Sequence, residues 1–169
     1  IETGLFVDIG GGSTELVTFE NRQITRAVSL PIGSLSMYSK HVKKLFPKPE
    51  EVIAIKQNIA QELYKIQNDE KLQLSTICGV GGTIRATKKL YDSLFSEQPT
   101  DVLHTRGIQD LLQSLHKADK KMLRRILQTV PDRVHTIVPG MIILDLITQL
   151  YDSKKIIVSP FGVREGYLY

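Results

Sequence analysis

Asp8-Ile-Gly-Gly-Gly-Ser-Thr-Glu15 follows a strand-like apolar run, residues 4–9, and leads straight into another, residues 14–19. Three consecutive glycines between two strands read as a hairpin whose backbone a ligand can approach without Cβ atoms in the way. The N–H groups of Gly10, Gly11 and Gly12, with the Ser13 and Thr14 hydroxyls, can converge on an anion. Asp8 and Glu15 would repel a bare phosphate. Two acids beside a phosphate cradle therefore imply a divalent cation between them, Mg²⁺ foremost.

Other glycine motifs fit less well. A dinucleotide fingerprint needs a third glycine where Glu15 stands and a helix where Leu16-Val-Thr-Phe19 reads as strand. A P-loop needs a Gly-Lys-Ser/Thr run, and no lysine is present. A plain glycine-rich turn would explain the hairpin but not the flanking acids and two hydroxyls.

Outward from this loop, residues 4–9, 14–19 and 23–30 form three strands with short connections, an antiparallel meander. The first strand is apolar on both faces, Leu5, Val7 and Ile9 against Phe6, as in a central strand covered on both sides. Asp8 shares the Phe6 face. Residues 33–46 read as a helix. A stronger one follows over 50–67, with Val52, Ile55, Ile59, Leu63 and Ile66 at helical spacing. A fourth strand over 74–78 enters Gly79-Val-Gly-Gly-Thr83, and a helix runs from Ile84 to about residue 94. Gly81, Gly82 and Thr83 fit a tight strand-to-helix connection or anion-binding N–H groups at a helix start; beside the first loop, ligand contact is favoured.

Two shorter helices carry the stripes Ile108, Leu111, Leu112, Leu115 and Met122, Leu123, Ile126, Leu127. A long helix over 132–151, bent near Pro139-Gly140, holds Asp145, expected at the helix edge or paired. Residues 155–158 make a fifth strand, and a closing helix follows. The order βββ-α-α-β-α-α-α-α-β-α defines an α/β fold, a mixed five-stranded sheet with flanking helices. This is the pattern of the ribonuclease-H-like, actin-type ATPase domain.

A length of 169 residues with 41% hydrophobic content suits one domain, 1–169. The single Cys78 excludes an intramolecular disulfide and, with no visible signal peptide, places the chain in the cytoplasm. The longest apolar stretch, 137–150, is too short and interrupted to span a membrane. A net charge of +4 tolerates a polyanion. The basic clusters at 40–48 and 117–125 read first as solvated helix faces. Without interleaved aromatics they do not suggest nucleic acid.

These residues resemble the exopolyphosphatase / guanosine pentaphosphate phosphatase family. The likeness rests on Asp8 to Leu16, Met37-Tyr38, Gly79-Val-Gly-Gly-Thr-Ile-Arg85, Arg133 with Val138-Pro-Gly140, and Gly162-Val-Arg-Glu-Gly166, nearly the whole chain. It implies a two-domain, Mg²⁺-assisted hydrolase releasing terminal phosphate from inorganic polyphosphate or guanosine pentaphosphate. By resemblance, Asp8 and Glu15 hold or orient the metal and its water. Gly10, Gly11, Gly12 and Ser13 cradle the terminal phosphates, Gly81, Gly82 and Thr83 lie near the same cleft, and Arg164 contacts an anion or packs between domains. The family's first domain carries another glycine loop and a proposed catalytic glutamate, and neither has a match here. The chain is thus expected to be the second domain without the first, with little activity alone and an inner face that favours a homodimer. A non-catalytic polyphosphate or guanosine polyphosphate sensor and half of an actin-type kinase or ATPase are the other readings of the same loops.

Overall fold

The computed structural model describes residues 2–67, 73–96, 100–116 and 120–161. β1 (Thr3–Ile9) runs into the glycine loop and returns as β2 (Thr14–Glu20). A turn at Asn21-Arg22, both at positive φ, then sends the chain back as β3 (Gln23–Leu30). Positive φ at both central residues matches the twist of the flanking strands. β4 (Thr76–Val80) lies parallel to β1, and β6 (Lys155–Val158) lies parallel to β4. β5 (Val102–His104) closes the edge antiparallel to β6, giving the order β3-β2-β1-β4-β6-β5.

The sheet therefore has six strands where the sequence suggests five. Val102-Leu-His104 buries only Leu103 among its three residues, too short a run to carry an alternating pattern.

Six helices accompany the strands among the described residues: α1 (Ser34–His41), α2 (Pro49–Ile66), α3 (Gly81–Phe95), α4 (Thr105–His116), α5 (Lys120–Thr129) and α6 (Ile137–Leu150). α6 is apolar nearly all round and touches α1, α2, α3, α4 and β1, so it forms the centre of the helical layer. Leu5, Val7 and Ile9 of β1 are buried with Leu16, Ile77, Ile156 and Val158. On the opposite face Phe6 and Phe19 stack with centroids 5.0 Å apart, yet Phe6 stays 41% exposed, less covered than two apolar faces suggest. Cys78, paired with Phe6, is half-buried, and burial pushes its thiol pKa up.

The fourth strand, expected over 74–78, is Thr76–Val80, and three helix boundaries differ from the sequence reading for identifiable reasons. α1 stops at His41 because the Lys43 N–H turns to the Glu51 carboxylate at 3.3 Å instead of continuing the helix. α3 begins at Gly81 rather than Ile84, so the second glycine segment is itself the first helical turn. The helix expected over 132–151 is a 3₁₀ turn (Pro131–Arg133) followed by α6. Pro139 then falls in the first turn of α6, where a missing N–H loses no hydrogen bond, and no bend is required. Asp145 is 3% exposed and accepts the Gln149 amide at 2.8 Å and the Gln109 amide at 3.4 Å. The closing helix expected after residue 160 lies outside the described residues.

Candidate functional site

Asp8 and Glu15 are direct cross-strand partners at the loop end of β1 and β2, which sets both side chains on one face. Glu15 is oriented from two sides. Its Oε1 accepts the Ser13 hydroxyl at 2.6 Å and the Ser29 hydroxyl at 2.9 Å. Ser29 is opposite Glu15 in the β2–β3 register. Asp8 makes no hydrogen bond or ion pair among the described residues. Burial, then the charge of Glu15, raise its pKa above the ordinary carboxylate value, and Arg85 partly opposes them. Two acids in this relation favour a cation between them.

The glycine loop is fixed from below and open above. Its Gly10 N–H donates to Ser13 O, while the Gly10 and Gly11 carbonyls accept the N–H groups of Ser34, Leu35 and Ser36. The loop carbonyls thus satisfy the orphan donors at the start of α1. A Cβ on Gly33 would stand 2.3 Å from Gly11 O, so this close approach requires glycine. The N–H groups of Gly11, Gly12 and Ser13 have no backbone partner among the described residues. A Cβ on Gly12 would meet no protein atom within 4 Å. The Thr14 hydroxyl points elsewhere: the residue is fully buried and its Oγ1 donates to Ile32 O. Alternation along β2 places it opposite Ser13 and Glu15, as a brace rather than part of the cradle.

The second glycine segment meets the first. Gly81, at φ +87°, lies against the Asp8 carboxylate. Gly82 lies under the Arg133 guanidinium, where a Cβ would stand 2.3 Å from Nη2. The first N–H groups of α3 have no carbonyl ahead of them in the helix, so this turn can donate to an anion. Thr83 is 2% exposed, packs against Gly140, and leaves Oγ1 without a partner among the described residues. It lies beneath the surface formed by Gly81 and Gly82. Arg164 is outside the described residues.

Four residues that the sequence did not mark as site members belong to this constellation: Ser29, Gly33, Arg85 and Arg133. Arg85 stands one helical turn from Gly81 and Gly82, a spacing that could have signalled it. Arg133 is half-buried on the 3₁₀ turn, and its guanidinium makes no hydrogen bond or ion pair among the described residues. The described residues contain no cluster of three or more His, Cys, Asp or Glu able to hold a metal. Two carboxylates nonetheless suit Mg²⁺, which keeps several waters and takes further oxygens from phosphate.

A meander carrying an acid–glycine hairpin, continued by parallel strands with helices between them, defines a domain of the actin-like ATPase fold. The chain belongs to the Ppx/GppA phosphatase family, whose profile matches residues 2–169. A Haemophilus influenzae relative with exopolyphosphatase in its name is 24% identical over 166 residues, covering 98% of this chain and 51% of that protein. A bifunctional 3-dehydroquinate synthase/phosphatase of Fusobacterium nucleatum is 33% identical over 164 residues, 92% of this chain and 24% of that protein. The Aquifex aeolicus PPX-GPPA enzyme superimposes with a TM-score of 0.82 at 28% identity, over 98% of this chain and 56% of its own. This chain thus spans about half the length of the Haemophilus and Aquifex proteins, and a quarter of the Fusobacterium one. No helix among the described residues is long and apolar enough to cross a membrane.

Proposed function

We propose that this chain is the phosphate- and metal-binding half of a hydrolase that releases terminal phosphate from inorganic polyphosphate or guanosine pentaphosphate. The observation that carries the reading is the Asp8–Glu15 pair, closed on one side by Gly81 and continued by loop N–H groups that have no backbone partner among the described residues. Family membership and the exopolyphosphatase in the Haemophilus name support it.

In this reading Ser13 and Ser29 hold Glu15 before a ligand arrives, and Gly81, having no Cβ, leaves room for the Asp8 carboxylate beside it. The N–H groups of Gly11, Gly12 and Ser13 bind terminal phosphate oxygens. Those of Gly81 and Gly82 approach from the α3 side. Arg85 and Arg133 add positive charge where the phosphate chain extends. Asp8 and Glu15 would hold Mg²⁺, which when bound neutralises charge on the phosphate oxygens and leaving group. Catalysis of phosphoryl transfer rests mainly on such positioning. A base that orients the attacking water is the part these residues do not supply. By family resemblance it comes from the first domain, of which this chain is the partner, so the chain alone turns over little.

The test measures orthophosphate release from linear polyphosphate, guanosine pentaphosphate and ATP in Mg²⁺. It compares the 169-residue chain with the same residues joined to the remaining part of the Aquifex aeolicus relative. Release from the joined protein that Asp8→Asn removes supports the reading. Binding without release in the joined protein would make this a sensing module, and preference for ATP would make it half of a kinase or ATPase. Efficient turnover by the chain alone would refute the division of labour.

A further inference from the structure

Arg133 has no hydrogen-bond or ion-pair partner among the described residues, yet its turn is tied down. Two residues on, His135 Nδ1 lies 3.0 Å from the Tyr38 hydroxyl, and the two rings pack at a tilt of 58° with centroids 5.1 Å apart. Tyr38 gives its own proton to Lys44 O at 3.0 Å, so toward His135 it can only accept. The pair therefore needs a proton on His135 Nδ1, which both the neutral Nδ1–H form and the imidazolium provide. Arg133 and His135 sit on one short piece of backbone, closed by Thr136 N–H to Arg133 O at 3.0 Å. Tyr38 stands one turn along α1 from the residues that bond the glycine loop. The path from the glycine loop through α1, Tyr38 and His135 to Arg133 closes over Gly82, next to the residue that touches Asp8.

We infer that Tyr38 and His135 are a positioning pair that sets the Arg133 guanidinium over the first turn of α3, in fixed relation to the glycine loop. A long arginine side chain with no partner among the described residues must otherwise lose its rotamer freedom when an anion binds. Anchoring its backbone two residues away supplies part of that ordering in advance. The consequence for ligand affinity rests on the phosphate-site reading above; the effect on Arg133 does not.

The experiment reads both, on the 169-residue chain. Without ligand, the ¹⁵N heteronuclear NOE of the Arg133 Nε–H reports the order of the guanidinium. It should fall in Tyr38→Phe and His135→Ala and recover in His135→Asn, whose amide N–H can stand where the imidazole Nδ1–H stood. With tripolyphosphate and Mg²⁺, calorimetry should show affinity weakened about fivefold by Tyr38→Phe, the loss of one ordinary hydrogen bond. In an Arg133→Gln background the same change should have no further effect. An unchanged NOE, or an equal loss of affinity in that background, overturns the inference, even where the melting temperature falls. A wild-type chain that binds no tripolyphosphate overturns the phosphate-site reading instead, and the NOE still decides the positioning role.

Discussion

Gly81 stands so close to Asp8 that a Cβ at position 81 would lie 2.1 Å from the Asp8 Oδ1. Asp8 is the last residue but one of β1 and Gly81 opens α3, and the parallel β1–β4 register, Asp8 beside Val80, brings them together. The two glycine segments of this sequence, some seventy residues apart, are in this way one site.

Gly81→Ala meets both that contact and a φ of +87° that L-residues rarely adopt. The expected loss is about 1–3 kcal/mol in urea denaturation. Displacement of the Asp8 carboxylate should also weaken Mg²⁺-dependent tripolyphosphate binding. A variant as stable as the parent, with unchanged binding, would remove Gly81 from the site.

Asp8→Asn should separate stability from function. Burial and Glu15 raise the folded-state pKa of Asp8 above its ordinary 3.8. Its contribution to stability is then complete below 3.8 and is lost as pH rises through the raised value. At neutral pH without divalent cations the ionised group is a net burden, so the asparagine variant should melt higher than the parent there. The gain should shrink as pH falls toward 3.8. Thermal melts with a chelator across pH 3–8 give the comparison, and a variant that melts lower at neutral pH would contradict the assignment.

Ser29→Ala tests the support of Glu15. Removing the 2.9 Å hydroxyl leaves Glu15 to Ser13 alone. Partners of metal-binding carboxylates are typically worth ten- to a hundredfold in metal affinity, and the expected loss in Mg²⁺ affinity here is about tenfold. Ala27→Ser, two residues away on the same exposed strand, should leave it unchanged.

Gly33→Ala should push α1 off the glycine loop, since its Cβ would stand 2.3 Å from Gly11 O and 2.5 Å from Gly12 C. Backbone on both sides leaves no soft neighbour to yield, and about 1–3 kcal/mol of stability should be lost. Hydrogen exchange at Ser34, Leu35 and Ser36 should accelerate together, because their N–H groups bond the loop carbonyls.

The facing of Asp8 and Glu15 was legible in the sequence because a short loop between two strands sets its flanking residues opposite each other. Ser29 was not. The β2–β3 ladder shifts register between Thr18 and Phe19, so counting back from the Asn21-Arg22 turn pairs Glu15 with Val28; the bulge brings Ser29 there instead. By residue type, Thr14 and Thr83 read as hydroxyls beside glycines. Their orientation, set by strand alternation and by packing on Gly140, turns both inward. Gly81 and Gly82 read as loop because glycine is a poor helix former. Contacts with Asp8 and Arg133, invisible to any local pattern, fit them into the first turn of α3. The meander and the strand 155–158 followed from apolar runs; the fourth strand, expected over 74–78, lies two residues later at Thr76–Val80, and β5 was too short to announce itself.

The most direct test of the two-acid metal site is calorimetric titration of the chain with tripolyphosphate, with and without Mg²⁺, in the parent and in Asp8→Asn. A cation held by Asp8 and Glu15 requires that Mg²⁺ tighten binding to the parent and lose about a hundredfold or more of that effect in the variant. The same Mg²⁺ dependence in both proteins would contradict it.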